Sequence, residues 1–345
     1  MTATTAATAT ATAAKGAYAN TTVLVTGADG FIGSHLCERL VAEGAQVRAF
    51  CLYNSQGSWG WLDRAAPAVK AALDVRLGDV RDARFVEAAT EGIDVVFHLA
   101  ALIAIPYSYA APQSFVDTNI TGTLNVLEAA RRHRVRRVIQ TSTSEVYGTP
   151  ASLPITEAHP LNAQSPYAAT KVAADQLALA HHASFGTPVV VLRPFNTSGP
   201  RQSTRAVLPA MLAQLLAGKR EIALGRLDTR RDLTFVDDTV GGFLAAGLAP
   251  AVEGRTIQLG TGRAVSIGEL FALACDVVGV PATAVSDQRR LRPDASEVLV
   301  LQSDDRLARA LLGWRATTSL EAGVRQTAQW LRAHLNLYNP AFLHV

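Results

Sequence analysis

The sequence predicts an α/β protein built on a doubly wound parallel sheet, with a smaller, interleaved C-terminal lobe. Three observations support this prediction. Short apolar segments alternate with helical segments from Thr22 to Asn196. These apolar segments are hydrophobic throughout, which is typical of strands covered on both faces. The stretch "VTGADGFIG" stands at the first strand–helix junction, where such folds bind nucleotides.

The elements follow in chain order. Strands are predicted at 21–27, 45–50, 73–79, 94–101, 136–142 and 188–196, and helices at 31–43, 115–132 and 166–185. After residue 196, loops rich in Pro, Gly and Arg alternate with helices near 207–217, 237–247, 267–278 and 320–333. We therefore predict a flexible Ala/Thr-rich tail at 1–20, a Rossmann-type domain at 21–195 and a mainly substrate-binding lobe at 196–335, parts of which can rejoin the sheet.

The composition excludes several function classes. The 345-residue chain has a net charge of +3 and 18% charged residues, so nothing favours nucleic acid as a partner. No apolar run is long enough for a membrane span, and the first twenty residues do not resemble a secretory signal. The three cysteines are scattered and the eight histidines lack metal-ligand spacing, so we expect no disulfide scaffold and no metal site. A cytoplasmic location fits this composition.

The glycine-rich stretch predicts a dinucleotide site. Gly27 allows a tight turn, Gly30 lets the backbone approach a pyrophosphate, and Gly33 allows close packing of helix on strand. The N–H groups of Phe31 and Ile32, at the start of the helix, then face the anion.

Further cofactor contacts are expected where later strands end. Asp79 and Val80 follow the third strand and are candidates for contacting adenine. Leu99, Ala100 and Ala101 follow the fourth strand and leave room for a nicotinamide ribose. His98, which precedes them, is interpreted as a hydrogen-bonded core residue and not as a catalyst.

The end of the second strand lacks the acid that usually binds the adenosine ribose. The region reads "VRAFCLYNSQGSWGW", with no Asp or Glu before Asp63, and no arginine there to hold a 2′-phosphate. Asn54 and Ser55 are the remaining ribose candidates, and NAD is favoured as the cofactor. Trp59 and Trp61 are expected to pack a loop.

A tyrosine and a lysine predict the reaction centre. In "YAATK", Tyr167 and Lys171 stand four residues apart and share one face of a helix. The lysine ammonium is expected to lower the tyrosine pKa, giving a base that removes a hydroxyl proton while hydride leaves the same carbon.

Together these motifs resemble the extended short-chain dehydrogenase/reductases that act on nucleotide sugars. The resemblance rests on the glycine loop, "HLAA", "TSTSEVYG", YxxxK and "LRPFNTSGPRQ", and it covers residues 22 to about 332. It implies that the substrate diphosphate is held by Asn196, Arg231 and Arg292. It also implies a homodimer paired through the helices at 115–132 and 166–185.

Within that family, "TSTSEVYG" resembles the 4,6-dehydratases. Residues two apart in a strand point the same way, so Thr143 and Glu145 are expected to face the sugar together. The resemblance implies that Thr143 binds O4, that Glu145 removes the C5 proton, and that Ser144 stands where many dTDP-glucose dehydratases have an acidic residue. Oxidation at C4, loss of water from C5 and C6, and hydride return to C6 would follow.

Three alternatives stay open at this point. A UDP-glucuronate decarboxylase also shares "TSEVYG", although the Arg231-Asp232 pair favours a dehydratase or epimerase. A 4-epimerase is disfavoured by Glu145, and a non-catalytic NAD-binding sensor by the presence of both Tyr167 and Lys171. Among dehydratases, "LYNSQGSWGWLD" and "LIAIPYSY" most resemble a bacterial UDP-N-acetylglucosamine 4,6-dehydratase group.

Overall fold

The computed structural model describes residues 16–338. Its strands are β1 (Thr22–Thr26), β2 (Gln46–Leu52), β3 (Leu73–Gly78), β4 (Val95–His98), β5 (Arg137–Thr141), β6 (Val189–Pro194), β7 (Asn196–Ser198), β8 (Glu221–Leu224), β9 (Arg230–Phe235), β10 (Thr256–Leu259), β11 (Ala264–Ser266), β12 (Thr283–Ser286) and β13 (Val300–Leu301).

The helices include every one that the sequence predicted. They are α1 (Phe31–Ala42), α2 (Pro67–Ala71), α3 (Ala83–Thr90), α4 (Ile105–Ala110), α5 (Pro112–Phe115), α6 (Gly122–Arg132), α7 (Pro166–Phe185), α8 (Val207–Leu216), α9 (Val236–Leu248), α10 (Ile267–Val278), α11 (Arg306–Leu312) and α12 (Leu320–Ala333). The segment predicted as one helix at 115–132 is divided, because a π-helical turn at Val116–Thr121 separates α5 from α6.

Seven parallel strands form the central sheet in the order β10-β6-β5-β4-β1-β2-β3. This confirms the predicted doubly wound fold. The strand order changes direction between β1 and β4, and ligands of such sheets bind at the carboxyl ends of the strands beside this point. Strand β10 comes from the part of the chain beyond residue 196, so that part does rejoin the sheet.

Apolar side chains cover both faces of the sheet, as uniformly hydrophobic parallel strands require. On one face, α1, α9 and α11 pack over β1, β4 and β6. On the other, α3, α6 and α7 do so. A separate apolar cluster joins α8, α10 and α12 to β8 and β12 and forms the core of the smaller lobe.

The predicted tail differs from the structure near its end. Tyr18 is fully buried, and its hydroxyl donates a hydrogen bond to the carbonyl of Leu244 at 2.8 Å. Its ring lies 6.3 Å from that of Phe97. The Tyr18 side chain, together with backbone hydrogen bonds from Ala17 and Tyr18 to Glu43, therefore fixes this segment against the core despite the Ala/Thr-rich composition. Residues 1–15 of the predicted tail lie outside the described residues.

Candidate active site

The glycine loop has the geometry that the motif predicts. Gly27 adopts a φ of +68°, and a Cβ on it would lie 2.8 Å from the backbone nitrogen of Ala100. A Cβ on Gly33 would lie 2.1 Å from the Gly27 carbonyl oxygen, so β1 and α1 pack too closely for a larger residue. Within the described residues, the N–H groups of Phe31 and Ile32 form no hydrogen bond. Such free amides at a helix start suit a pyrophosphate.

The end of β4 lies directly against this loop. The N–H of Leu99 donates to the Thr26 carbonyl at 3.1 Å, and that of Ala100 donates to the Thr26 hydroxyl at 3.2 Å. His98 is buried, with its ring nitrogens 2.7 Å from the Thr26 hydroxyl and 3.2 Å from that of Thr123. Burial lowers the pKa of His98 to about 3, so the ring is neutral. This confirms that His98 is a hydrogen-bonded core residue.

The loop after β2 differs from the prediction at Asn54. The side-chain oxygen of Asn54 accepts from the N–H groups of Gln56 and Ser58, and its nitrogen donates to the carbonyls of Leu52 and Ser58. Because this amide is used within its own loop, the structure favours a role in loop shape over ribose binding. The two tryptophans pack as expected, with Trp61 5.5 Å from the ring of Trp330 in α12.

Asp79 and Val80 follow β3 near the same edge of the sheet. Val80 is buried in the core cluster beneath α6, where Gly122 accommodates it. The Asp79 carboxylate accepts from the side chain of Arg81, and this hydrogen bond lowers the Asp79 pKa. An ionised acceptor at this position suits an adenine amino group.

Helix α7 presents Tyr167 and Lys171, as the spacing predicts. It begins after Ser165, whose hydroxyl accepts from the N–H of Ala168 at 3.1 Å, and ends at Gly186 with a φ of +67°. The side chain of Asn119, in the π-helical turn, donates to Thr170 at 3.0 Å and to the Leu102 carbonyl at 2.9 Å. The divided helix therefore anchors the catalytic helix to the loop after β4.

The expected pKa effect of the lysine is not found. Burial raises the pKa of Tyr167, and the Thr143 hydroxyl acts in the opposite direction as a hydrogen-bond partner. Lys171 instead donates to the Thr141 carbonyl at 2.5 Å. Burial also lowers the pKa of Lys171 to about 8, which brings its titration near neutral pH.

The strand argument for residues 143–145 is wrong, although two of the three side chains still lie together. Strand β5 ends at Thr141, and Ser144–Tyr147 form a 3₁₀ turn capped by the Thr143 hydroxyl, which accepts from the N–H of Glu145 at 3.3 Å. Thr143 and Glu145 are half-buried, whereas Ser144 is only 2% exposed. Ser144 is therefore the most buried of these three residues, and its hydroxyl forms no hydrogen bond among the described residues.

Glu145 lies between the tyrosine and the arginines of the smaller lobe. Burial raises the pKa of Tyr167 and lowers that of Arg231, and the nearby Glu145 charge acts to raise both pKa values. Its carboxylate is 3.7 Å from Nη1 of Arg292, which is too long for a hydrogen bond, and the side chain is 12% exposed. The structure therefore brings together Thr143, Glu145 and Tyr167 with two arginines predicted from a distant part of the sequence.

The predicted diphosphate residues carry polar atoms without partners. Oδ1 of Asn196 and Nη1 of Arg292 are buried and form no hydrogen bond within the described residues. Arg231 is buried and paired with Glu297 at 3.3 Å, a carboxylate that the sequence analysis missed. A cationic, partly unsatisfied cluster of this kind fits an anionic ligand.

Asp232, used above to weigh the alternatives, has a structural role. Its carboxylate is fully buried and accepts hydrogen bonds from Thr261, Gly262 and Ser303. It therefore holds the loop after β10 against β13. Both carboxylate oxygens of Asp232 are used in these hydrogen bonds. The presence of Asp232 therefore indicates the structure of this loop more directly than the type of reaction.

The sequence analysis also missed a buried ion pair behind the site. Asp175, one turn beyond Lys171 on α7, accepts from Arg193 Nη2 at 2.9 Å and Nε at 3.1 Å, and from the Ser142 hydroxyl at 2.6 Å. Arg193 also donates to the Tyr147 hydroxyl at 2.9 Å. The signal was available in the sequence as an acid at the i+4 position from Lys171, but its partner is far away in the chain.

Two features are absent from residues 16–338. No group of three or more His, Cys, Asp and Glu side chains is placed to hold a metal ion there. None of the helices in that range combines the length and apolar character that crossing a bilayer needs.

Known proteins resemble this chain over most of its length. The family model described as GDP-mannose 4,6 dehydratase matches residues 24–327. A UDP-glucose 4-epimerase of Mycolicibacterium smegmatis is 34% identical over 323 residues, covering 90% of this chain and 98% of that protein. A dTDP-glucose 4,6-dehydratase of Actinoplanes sp. is 33% identical over 327 residues, again covering 90% and 98%.

A solved structure shares both fold and extent. DesIV, the dTDP-glucose 4,6-dehydratase of Streptomyces venezuelae solved with NAD and TYD bound, is 30% identical, with a TM-score of 0.82 and coverage of 92% of this chain and 99% of that one. Both dehydratases and epimerases occur among these relatives. The chain thus belongs to the GDP-mannose 4,6-dehydratase family of NAD-dependent nucleotide-sugar enzymes, within the extended short-chain dehydrogenase/reductases.

Proposed function

We propose that this protein is an NAD-dependent nucleotide-sugar 4,6-dehydratase that acts on UDP-N-acetylglucosamine or a related nucleotide hexose. The observation that carries the proposal is the position of Glu145, beside Tyr167 and 3.7 Å from Arg292. Oxidation at C4 alone needs only a hydroxyl that binds O4, a base that takes the O4 proton, and a lysine that supports the base. A second carboxylate at the reaction centre suits proton removal from a neighbouring carbon.

The glycine loop and the ends of β3 and β4 fit the cofactor. We assign the N–H groups of Phe31 and Ile32, which form no hydrogen bond among the described residues, to the pyrophosphate. Asp79 and Val80 are assigned to adenine, and Leu99 to Ala101 to the nicotinamide end. When bound, NAD accepts hydride from C4 of the sugar and returns it to C6. The remaining steps belong to side chains of this chain.

Tyr167 and Thr143 act at O4. Thr143 orients the C4 hydroxyl, and Tyr167 takes its proton as the C4 ketone forms. Lys171 does not contact the phenol directly in this structure but holds the Thr141 carbonyl at the end of β5, so it supports the base through position and charge.

Glu145 acts at C5 and O6. The C4 ketone acidifies the C5 proton, which Glu145 removes and then delivers to the leaving C6 oxygen as water forms. The proton released from O4 balances the one needed when C5 is protonated again. One carboxylate thereby performs both transfers, and buried Ser144 is not needed as a separate acid.

Three side chains of the second lobe are assigned to the diphosphate. Arg231 and Arg292 offer planar guanidinium groups, and Asn196 offers an amide that can present its nitrogen to a phosphate oxygen. The preference for UDP-N-acetylglucosamine rests on the resemblance of residues 52–63, 102–109 and 141–149 to that dehydratase group. Nothing among these contacts reads the nucleobase.

A panel of nucleotide sugars incubated in heavy water tests the reaction. The panel contains UDP-N-acetylglucosamine, UDP-glucose, dTDP-glucose, GDP-mannose and UDP-glucuronate, and the products are identified by NMR. A 4-keto-6-deoxy product with deuterium at C5 supports dehydration. Inversion at C4 without exchange at C5 would instead support an epimerase, and loss of carbon dioxide from UDP-glucuronate a decarboxylase.

Glu145→Gln isolates the second half of the reaction. This variant should still form NADH on substrate addition, because C4 oxidation does not use Glu145, but elimination should fall by about 10²–10⁴-fold. Glu297→Gln is the matched control, since its carboxylate contacts Arg231 without being placed beside Tyr167. It should weaken substrate binding and leave C5 exchange intact. Normal turnover by Glu145→Gln contradicts the proposal.

The second part of the proposal is a homodimer paired through α6 and α7. Apolar side chains on this side of the protein are exposed, among them Leu124 on α6 and Phe185 on α7. Small residues such as Ala169 and Ala180 on α7 are also exposed and allow close helix packing. Sedimentation at micromolar concentration tests this, and a Leu124→Arg change should dissociate the pair.

A further inference from the structure

A carboxylate of the glycine loop, that of Asp29, lies beside the end of β2, where the sequence lacks an acid. Asp29 stands between Gly27 and Gly30, and the neighbouring N–H of Ala28 donates to the Phe50 carbonyl in β2 at 3.2 Å. The backbone N–H of Leu52, the last residue of β2, lies near enough to the Asp29 carboxyl to lower its pKa against the larger, opposite effect of burial. It also lies close to the buried thiol of Cys51.

The loop that follows β2 fixes Asp29 in this position. The N–H of Trp61 donates to the Asp29 carbonyl at 3.1 Å. Gly60 has a φ of +60°, and a Cβ on it would lie 2.5 Å from the Asp29 carbonyl oxygen and 2.9 Å from the Asp29 Cβ. Trp61 in turn packs against Trp330 of α12, so the segment that covers Asp29 is anchored in the smaller lobe.

The carboxyl of Asp29 has no cationic partner to explain its position. No lysine or arginine among residues 16–338 lies within ion-pair distance of it. Burial raises its pKa, while the N–H groups of Asp29 and Leu52 act in the opposite direction. A half-buried, unpaired carboxylate beside a nucleotide site has a free energy cost unless a ligand donates hydrogen bonds to it.

Of the other groups near β2, Ser55 is exposed and its hydroxyl forms no hydrogen bond among the described residues, whereas Asn54 and Cys51 are not available to a ribose. Asn54 directs its amide into its own loop, and Cys51 is buried with burial raising its pKa to about 12, so its thiol stays neutral. We propose that the Asp29 carboxylate accepts hydrogen bonds from the 2′- and 3′-hydroxyls of the adenosine ribose of NAD, and that it excludes a 2′-phosphate by charge repulsion. The inference rests on NAD as cofactor and not on the sugar chemistry proposed above.

Binding measurements on the full chain, cleared of copurified nucleotide, test this assignment. Isothermal titration with NAD⁺, NADP⁺ and NAD⁺ carrying 2′-deoxyadenosine compares the protein with Asp29→Asn. The unmodified chain should lose roughly tenfold or more in affinity when the 2′-hydroxyl is removed, since hydrogen bonds to charged groups are the strong ones. Asp29→Asn should lose similar affinity for NAD⁺, respond less to the 2′-deoxy change, and discriminate less against NADP⁺.

Asn54→Ala is the control for loop shape. It should lower the melting temperature and weaken all three nucleotides by a similar factor, leaving their ratios unchanged. Equal losses for NAD⁺ and its 2′-deoxy form in Asp29→Asn, or unchanged NAD⁺ binding, would overturn the assignment. Tight NAD⁺ binding with the expected ratios in a protein that dehydrates no sugar would contradict the proposed function and leave this inference standing.

Discussion

Two arginine–carboxylate pairs lie near the catalytic tyrosine and lysine, one of them with its acid on the catalytic helix, and they differ in almost every physical respect. Arg193 and Asp175 are both buried, at 3% and 0% side-chain exposure, and are joined by two hydrogen bonds. Arg292 and Glu145 are 25% and 12% exposed, lie 3.7 Å apart and form no hydrogen bond.

The difference shows how one site combines a fixed support with a reactive group. In the buried pair, Oδ2 of Asp175 accepts hydrogen bonds from Arg193 and Ser142, and Arg193 also donates to Tyr147. The other oxygen of Asp175, Oδ1, is buried and has no partner among the described residues. Removing either charge leaves the other in a low dielectric. In the half-buried pair, the Glu145 carboxylate lies 3.7 Å from the Arg292 guanidinium, and within the described part of the chain its oxygens are free of hydrogen bonds that would compete with substrate. We interpret the first pair as structural and the second as functional.

The largest expected effect comes from breaking the buried pair. Asp175→Ala leaves the Arg193 guanidinium buried without its counter-ion, so the free energy of unfolding should fall by about 3–5 kcal/mol. Chemical denaturation measures this loss. Glu145→Ala is the matched comparison, and because its partner is partly exposed it should change stability by less than about 1 kcal/mol. Similar losses in both variants would contradict the distinction between the two pairs.

Removing the arginine of the other pair should affect binding more than folding. Arg292→Ala should raise KM for the nucleotide sugar roughly ten- to a hundredfold, because a charge-assisted hydrogen bond to phosphate is lost. Arg289→Ala is the control from the same loop, since Arg289 is 73% exposed and paired with Asp287. Steady-state kinetics would count against the assignment if both variants behaved alike.

The sequence predicted the parts of this molecule that local patterns determine. Helices α10 and α12 have the predicted bounds, since a serine caps each start and the apolar periodicity is regular. The shape of the glycine loop is also determined by a few neighbouring residues. The same is true of the shared helix face of Tyr167 and Lys171. The resemblance to a family added Arg231 and Arg292, which no local pattern would place beside Glu145.

Other features depend on contacts between distant residues and were therefore missed or mistaken. Thr143 caps a 3₁₀ turn where a strand was expected, because β5 ends earlier and the side chain of Thr143 binds the backbone of Glu145. Asp29 lies beside the end of β2 although it belongs to the glycine loop, so the pattern that places an acid on β2 itself does not find it. The Asp175–Arg193 pair joins a helix to a strand, so neither sequence segment alone indicates it.

The buried pair should also influence the pH dependence. Lys171 has a pKa of about 8 because burial opposes its charge, and Asp175 acts to raise that value. If the charged lysine supports Tyr167, kcat should fall as the pH rises through about 8. Asp175→Asn removes the charge that favours the ammonium, so the fall should move to lower pH. An unchanged pH profile in this variant would show that Asp175 does not influence the titration of Lys171.

Ser144→Ala should have the smallest effect on kcat. It tests whether Ser144 differs in function from its neighbours Thr143 and Glu145. A residue that donated the proton to O6 would contribute about 10²–10⁴-fold to the rate. Because Ser144 is 2% exposed while Thr143 and Glu145 are half-buried, we expect less than about a tenfold change in kcat, as for loss of one ordinary hydrogen bond. Thr143→Val, which removes a hydroxyl hydrogen-bonded to Tyr167, should reduce kcat more. A Ser144→Ala loss as large as that of Glu145→Gln would return the acid role to Ser144 and limit Glu145 to C5.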